Sequence, residues 1–209
     1  MSAVRLKHLL FGLALVLVPL ARLDAALPKH SVTPEAASLT GRLLIASPGM
    51  RDPRFSRTVI LIVRHGKDGT FGITINRPAG ERSLASLLEA HGDKDLPKAR
   101  TARIFAGGPV QQEMGLVVHT PDYRHEETLA INADAALTAS ADILRDIARG
   151  SGPQKALIAF GYAGWATGQL ESELASKNWL VTTADAALIF DEPRDRVWDA
   201  AIARHARDP

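Results

Sequence analysis

The chain has 209 residues, 46% of them hydrophobic and 23% charged, with a formal net charge of +2. That length suffices for one sizeable core, and the balance is that of a globular domain, which excludes fibrous and disordered classes. There is no cysteine, which removes disulfides, thiolate catalysis, iron–sulfur clusters and cysteine zinc sites together.

The first element in chain order is a targeting pattern. Arg5, Lys7 and His8 precede an apolar run over residues 9–20, and small residues follow at Ala21, Ala25 and Ala26. A basic start, a short apolar stretch and a small-residue exit describe a secretory signal peptide. The run is shorter than the roughly 20 residues of a spanning helix. We expect residues 1–25 to be cleaved after Ala25, 26–38 to form a loose leader carrying Pro28 and Pro34, and 39–209 to form the domain. The mature chain would then have no transmembrane span and would be periplasmic or secreted; a cytoplasmic chain is the alternative. Cleavage removes Arg5, Lys7, Arg22 and Asp24, leaving basic and acidic side chains in balance. A neutral domain has no bulk attraction for phosphates, so nucleic acid is not an expected partner. Residues 26–103 are net basic and 104–209 net acidic. Folding is expected to mix them on one surface; a basic patch around Arg51, Arg54 and Arg57 is the sharper alternative.

Strand-like stretches cover 43–47 and 58–64, separated by Pro48-Gly49 and Asp52-Pro53. Lys67-Asp68-Gly69 reads as a hairpin turn into a strand over 70–76, which Pro78 and Gly80 close. Ser83 is placed to cap a helix over 84–90, with Leu84, Leu87 and Leu88 on one face. A charged loop over 92–98 follows. Short strands at 103–106 and 115–119 flank Gly107-Gly108-Pro109, and 128–131 adds another. Ser140 caps a helix carrying Ile143, Leu144 and Ile147, and Gly150 ends it. A strand over 156–160 leads into Gly161-Tyr162-Ala163-Gly164-Trp165-Ala166-Thr167-Gly168-Gln169, read as a glycine-rich crossing into a helix over 169–177. A strand at 179–183 and a helix over 193–204, with Val197, Trp198, Ala201 and Ile202 on its apolar face, complete the chain. Tight spacing among the early strands predicts an α/β (α+β-like) single domain: a mixed, largely antiparallel sheet with flanking helices.

Chemical motifs are few. No Gly-x-Ser-x-Gly elbow, P-loop, dinucleotide fingerprint or His-Glu-x-x-His occurs, so no catalytic, cofactor or metal residue is assigned. His65 and His119 each end a predicted strand and could share a metal or a proton, but no ligand spacing joins them. Glu171 and Glu173 diverge on a helix. The candidate binding surface is Gly107, Gly108, Pro109, Gly161, Tyr162, Gly164, Trp165, Gly168 and Gln169. Backbone amides in two glycine-rich turns could accept a small anion or a partner's backbone. Packing explains the same residues, with the two aromatics plugging the core. Gly164 is a position where a positive φ would explain the glycine.

Several stretches in order resemble the YqgE/AlgH family of bacterial proteins. They are Leu39-Thr40-Gly41-Arg42-Leu43-Leu44-Ile45-Ala46-Ser47-Pro48-Gly49-Met50 with Asp52-Pro53-Arg54-Phe55; Gly72-Ile73-Thr74-Ile75-Asn76-Arg77-Pro78; Phe105-Ala106-Gly107-Gly108-Pro109-Val110; Gly161-Tyr162-Ala163-Gly164-Trp165 with Gly168-Gln169-Leu170-Glu171; and Trp179 and Trp198. The resemblance spans about residues 39–202. It implies a single α/β domain with a mixed sheet, a frequently applied transcriptional-regulator label, and no catalytic residue to transfer. Members are normally cytosolic and begin near the Leu-Thr-Gly stretch, so the signal-like segment is a departure. The expected function is a non-catalytic binding or regulatory domain, taking a protein or a small anionic ligand. A small-anion binder or enzyme using the 161–169 loop is the alternative, and a DNA-binding regulator the outsider.

Overall fold

The structure is a computed structural model that describes residues 38–89, 92–93 and 100–208. The expected signal peptide, nearly all of the leader and most of the charged loop after Gly92 lie outside the described residues.

A meander of β1 (Arg42–Ala46), β2 (Val59–Gly66) and β3 (Gly69–Thr74) is extended on one side by β10 (Trp179–Thr183) and on the other by β9 (Ala156–Trp165). Beyond β9 come β6 (Val110–His119), β8 (Ala136–Thr138) and β7 (Thr128–Ala130). A ribbon of β4 (Pro78–Ser83) and β5 (Thr101–Ala106) joins the same sheet through a parallel pairing of β5 with β9. The other described pairings are antiparallel, and the sheet is mixed as the sequence predicts.

Helices cover both faces, which is why residues 59–63 can be a continuous buried apolar run. On one face Leu43, Ile45, Leu61, Ile73, Leu116 and Val118 pack under α4 (Val197–His205) and a π-helical turn (Ala187–Asp191). The other face is covered in two places. Leu44, Ile60 and Ile62 meet α3 (Gln169–Ala175) through Leu170. Ile104, Val117 and Ile158 meet α1 (Leu84–Glu89) and α2 (Asp142–Arg149).

Four expectations change. The residues around Pro78 and Gly80 form β4 instead of a closing turn. Proline is tolerated there because it is the first residue of the strand, and Gly80 sits at the register shift. Helix α4 starts at Val197; Pro193 instead accepts the amide of Arg196 in the turn before it. The glycine-rich crossing is strand as far as Trp165. Up to Ala159 the odd-numbered residues of β9, Leu157 and Ala159, face the α4 side; after Gly161 the even-numbered Tyr162 does. Gly161 has φ 71°, and as a bulge residue it shifts the alternation by one position. Gly164 does not carry a positive φ; Gly161 and Gly168 do. At the other expected helix ends, Gly150 closes α2 in the left-handed conformation, φ 83°. Ser140 accepts the Asp142 amide at 3.3 Å, in a turn just before the first helical residue.

Candidate functional site

The structure divides the candidate surface into two regions. In the first, Gly107 and Gly108 lie backbone to backbone against Gly161 and Tyr162. The Gly107 amide donates to the Phe160 carbonyl at 2.8 Å, and the Gly107 carbonyl accepts the Thr74 amide at 2.8 Å. A methyl group at Gly107 would overlap the Gly161 carbonyl, and one at Gly108 would overlap the Tyr162 carbonyl. At Gly161 it would stand 2.6 Å from the Gly108 oxygen. These glycines are selected by close approach of two chains. Pro109 is exposed beside them. Tyr162 turns into the core and meets Phe71 edge-on at 4.8 Å.

In the second region, Trp165 and Trp179 are 7% and 3% exposed. Their rings meet edge-on at 5.9 Å, and Phe55 packs against Trp179 at 5.5 Å. Both indole N–H groups donate to one oxygen of Glu173, at 3.0 and 2.7 Å. The Gln169 amide donates to the other oxygen at 2.9 Å, and its carbonyl accepts the Ala166 amide at 3.1 Å. The hydrogen-bonding groups of this loop are therefore turned inward. Gly164 is exposed, and the nearest atom to a methyl there would be the Tyr162 ring at 3.4 Å.

The glycine seam also forms part of a concavity. A cleft of about 440 Å³ has Ile104, Phe160 and Gly108 among its walls, with Leu87 of α1, Arg82 of β4 and Gln112 of β6 around them. Opposite the Gly161 bulge, β6 loses register between Val110 and Gly115. Within that interruption Gln111 has φ 47° and Met114 is 37% exposed. A positive φ at a non-glycine residue stores strain of order 1–3 kcal/mol. Sequence reading missed Arg82, Leu87, Gln112 and Phe160. The available signal was Gln111-Gln112-Glu113, a polar run inside an otherwise apolar strand pattern.

The histidines are held in separate networks. His65 Nε2 donates to Glu171 at 2.8 Å while its Nδ1 accepts the Leu39 amide at 3.3 Å. The Glu171 carboxyl lies below its ordinary range because of its own backbone amide, and then because of His65. His119 is fully buried. Its Nδ1 donates to the Thr120 carbonyl at 2.8 Å, so Nε2 accepts the Thr138 hydroxyl at 2.9 Å. Thr138 in turn accepts from Thr128 at 2.8 Å. Burial pushes the His119 pKa down, against the Thr120 carbonyl and Asp122. His125 bonds to Asp142 at 3.2 Å. Tyr123 donates to Asp146 at 2.8 Å, and burial together with that bond raises its pKa to about 12. His65 and His119 thus have different partners and do not share a ligand. Among the described residues no group of three or more histidines and carboxylates is placed to hold a metal. Glu171 and Glu173 diverge as expected, one to His65 and one to the tryptophans.

The basic patch is neutralised on two of its three arginines. Arg54 pairs with Asp52 and Arg57 with Asp199, each at 2.7 Å. Arg57 also stacks over Trp198 at 4.3 Å. Among the described residues no helix is long and apolar enough to cross a membrane.

A family model described as AlgH-like matches residues 43–209. A UPF0301 protein of Jannaschia sp. is 45% identical over 176 residues, covering 82% of this chain and 90% of the relative. A UPF0301 protein of Rhodospirillum rubrum is 43% identical over 171 residues, covering 82% and 89%. The solution structure of the AlgH protein from Pseudomonas aeruginosa is similar with a TM-score of 0.71 and 42% identity, over 84% of this chain and 92% of that one. A crystal structure of a protein from Corynebacterium diphtheriae has a TM-score of 0.64 at 22% identity, covering 83% and 89%, and shares the fold.

Proposed function

The chain belongs to the AlgH-like family, and from its geometry we propose that it is a non-catalytic binding domain whose ligand occupies the cleft beside Gly108. One observation carries this reading: strained and tightly approached backbone converges on a concave surface. Gln111 at φ 47° and Gly161 at φ 71° lie next to a cleft of about 440 Å³. Strain of that kind clusters at functional sites, and the volume falls within the range of small-ligand pockets. The apolar walls at Leu87, Ile104 and Phe160 supply contact area, and Arg82 and Gln112 supply polar anchors. Three histidines outside the cleft are engaged structurally: His65, His119 and His125 each have both ring nitrogens bonded. That pattern supports binding over catalysis.

The test is photo-crosslinking in living cells from a benzoylphenylalanine at position 112, read by intact mass. Position 172, exposed on α3, serves as the control. A discrete adduct from 112 alone supports the reading; a large mass increment marks a protein and a small one a metabolite. No adduct, or equal adducts from both positions, contradicts it. We further propose that the domain acts outside the cytoplasm, on the basis of the three-part pattern at its start. N-terminal sequencing of fractionated native protein tests this, and an intact Met1 in the cytosol contradicts it.

A further inference from the structure

We propose that a second cavity, beside the π-helical turn, binds a small organic anion with an apolar body, its charged group seated at Arg103 and Arg194. This site is independent of the cleft beside Gly108. Along β5, Ile104 packs toward α1 and α2, whereas Phe105 packs toward the π-helical turn. On that second side lies a cavity of about 380 Å³, walled by Phe105, Leu157, Ile189 and Phe190 and bordered by the two arginines. The volume suits a ring-sized ligand.

The electrostatics point to an anion. Arg194 is half-buried and fixed by backbone carbonyls: Ile189 at 2.6 Å, Ile75 at 3.4 Å and Glu192. Carbonyl acceptors hold a guanidinium in place without cancelling its charge. Among the described residues, neither Arg194 nor Arg103 has a carboxylate within ion-pair distance. Asp191 lies in the π-helical turn, but its carboxylate is engaged by Lys155 at 2.6 Å. Glu81 faces Arg103 in the β4–β5 register and borders the same cavity without forming an ion pair. Burial, and next the nearby Arg103, lower the Arg194 pKa, against the negative charges of Glu192 and Asp191. Two like charges near one another in a partly apolar site are costly unless an anion bridges them. A planar guanidinium recognises carboxylate or phosphate oxygens. The apolar walls then favour a ligand with an aromatic or branched body over a bare inorganic ion. A π-helical turn is also a rare element that recurs at functional sites.

The test uses the full chain with phenyl phosphate, benzoate, inorganic phosphate and neutral benzyl alcohol as probes, followed by amide and arginine Nε–H chemical shifts. Saturable shifts at Phe190, Leu157 and Arg103 are expected with phenyl phosphate or benzoate, at least tenfold tighter than with benzyl alcohol or inorganic phosphate. Arg103→Gln, on an exposed strand position, should keep the fold and weaken binding about tenfold, or about 1.4 kcal/mol. Arg64→Gln on β2 should leave binding unchanged. Equal affinity for benzyl alcohol, no saturable shift, or unchanged binding by Arg103→Gln overturns the proposal. Shifts confined to Arg82, Gln112 and Gly108 also overturn it, while leaving the reading of the other cleft intact.

Discussion

The two ends of the 161–165 stretch look alike in sequence, a glycine and an aromatic at each, yet they do different things. At the Gly161 end the glycines exist because two backbones meet: a side chain at Gly107, Gly108 or Gly161 would strike a carbonyl of the facing strand. At the Trp165 end the aromatics are the reason, with two buried indoles tied to one carboxylate. Gly164 between them is exposed and has ordinary space around it. A glycine-rich stretch is thus not one feature. The seam at one end builds the wall of a cleft, while the knot at the other end closes a core.

Substitutions separate the two regions. The largest effect is expected at the seam. Gly161→Val places a β-branched side chain at φ 71° and 2.6 Å from the Gly108 oxygen. We expect a loss of about 4 kcal/mol or more, a large fraction of the roughly 5–15 kcal/mol margin of an ordinary domain. Gly164→Ala should shift the urea midpoint by less than the equivalent of about 1 kcal/mol. Equal losses at the two sites would erase the distinction. Next comes the knot. Glu173→Ala leaves two nearly buried indole N–H groups without their acceptor, at an expected cost of about 2–4 kcal/mol. Glu173→Gln keeps an acceptor and should cost less than half of that. Equal costs for the two variants, measured by denaturation with tryptophan fluorescence, would show that charge and not acceptor position matters.

A smaller effect belongs to pH. Burial holds the folded-state pKa of His119 below the ordinary 6.5, so the fold favours the neutral ring. Below about pH 6.5 the unfolded chain takes up a proton that the folded chain refuses. Stability should therefore fall as pH drops from about 6.5 toward the folded-state pKa and then level off. This group adds no slope above that window. His119→Gln should remove that part of the curve; an unchanged curve would assign the slope to other groups. The smallest effect is at the surface. Arg57→Ala loses a stacking contact with Trp198 and an exposed ion pair with Asp199, expected to cost about 0.5–1 kcal/mol.

Much of the fold was legible because apolar runs and punctuation agree locally. Residues 58–64 read as a strand, Gly150 as a helix stop and 179–183 as a strand, and the structure has β2, the end of α2 and β10 there. The missed elements are those whose sequence signal is weak or conflicting. β8 spans three residues, Ala136–Thr138, too few for a pattern. β4 carries Pro78 and Gly80, which signal a turn unless the strand lies at an edge and begins with the proline. The bulge at Gly161 hid the continuation of β9, because the shift in alternation depends on its neighbour β6. The candidate site was legible in part. The adjacency of the 107–109 and 161–162 turns follows from strands that end near one another. The cleft did not, because Arg82, Leu87, Gln112 and Phe160 come from four elements whose meeting no local pattern encodes.

The Gly107–Gly108 turn is either a backbone seam or a set of free amides awaiting an anion. Amide hydrogen exchange of the full chain decides this most directly. The Gly107 and Thr74 amides, which donate to Phe160 and Gly107 at 2.8 Å, should be protected to the level of global unfolding, alongside the core strands. Exchange of either at the rate of an exposed loop, slowed only when phosphate is added, would contradict the seam and restore the turn as an anion site.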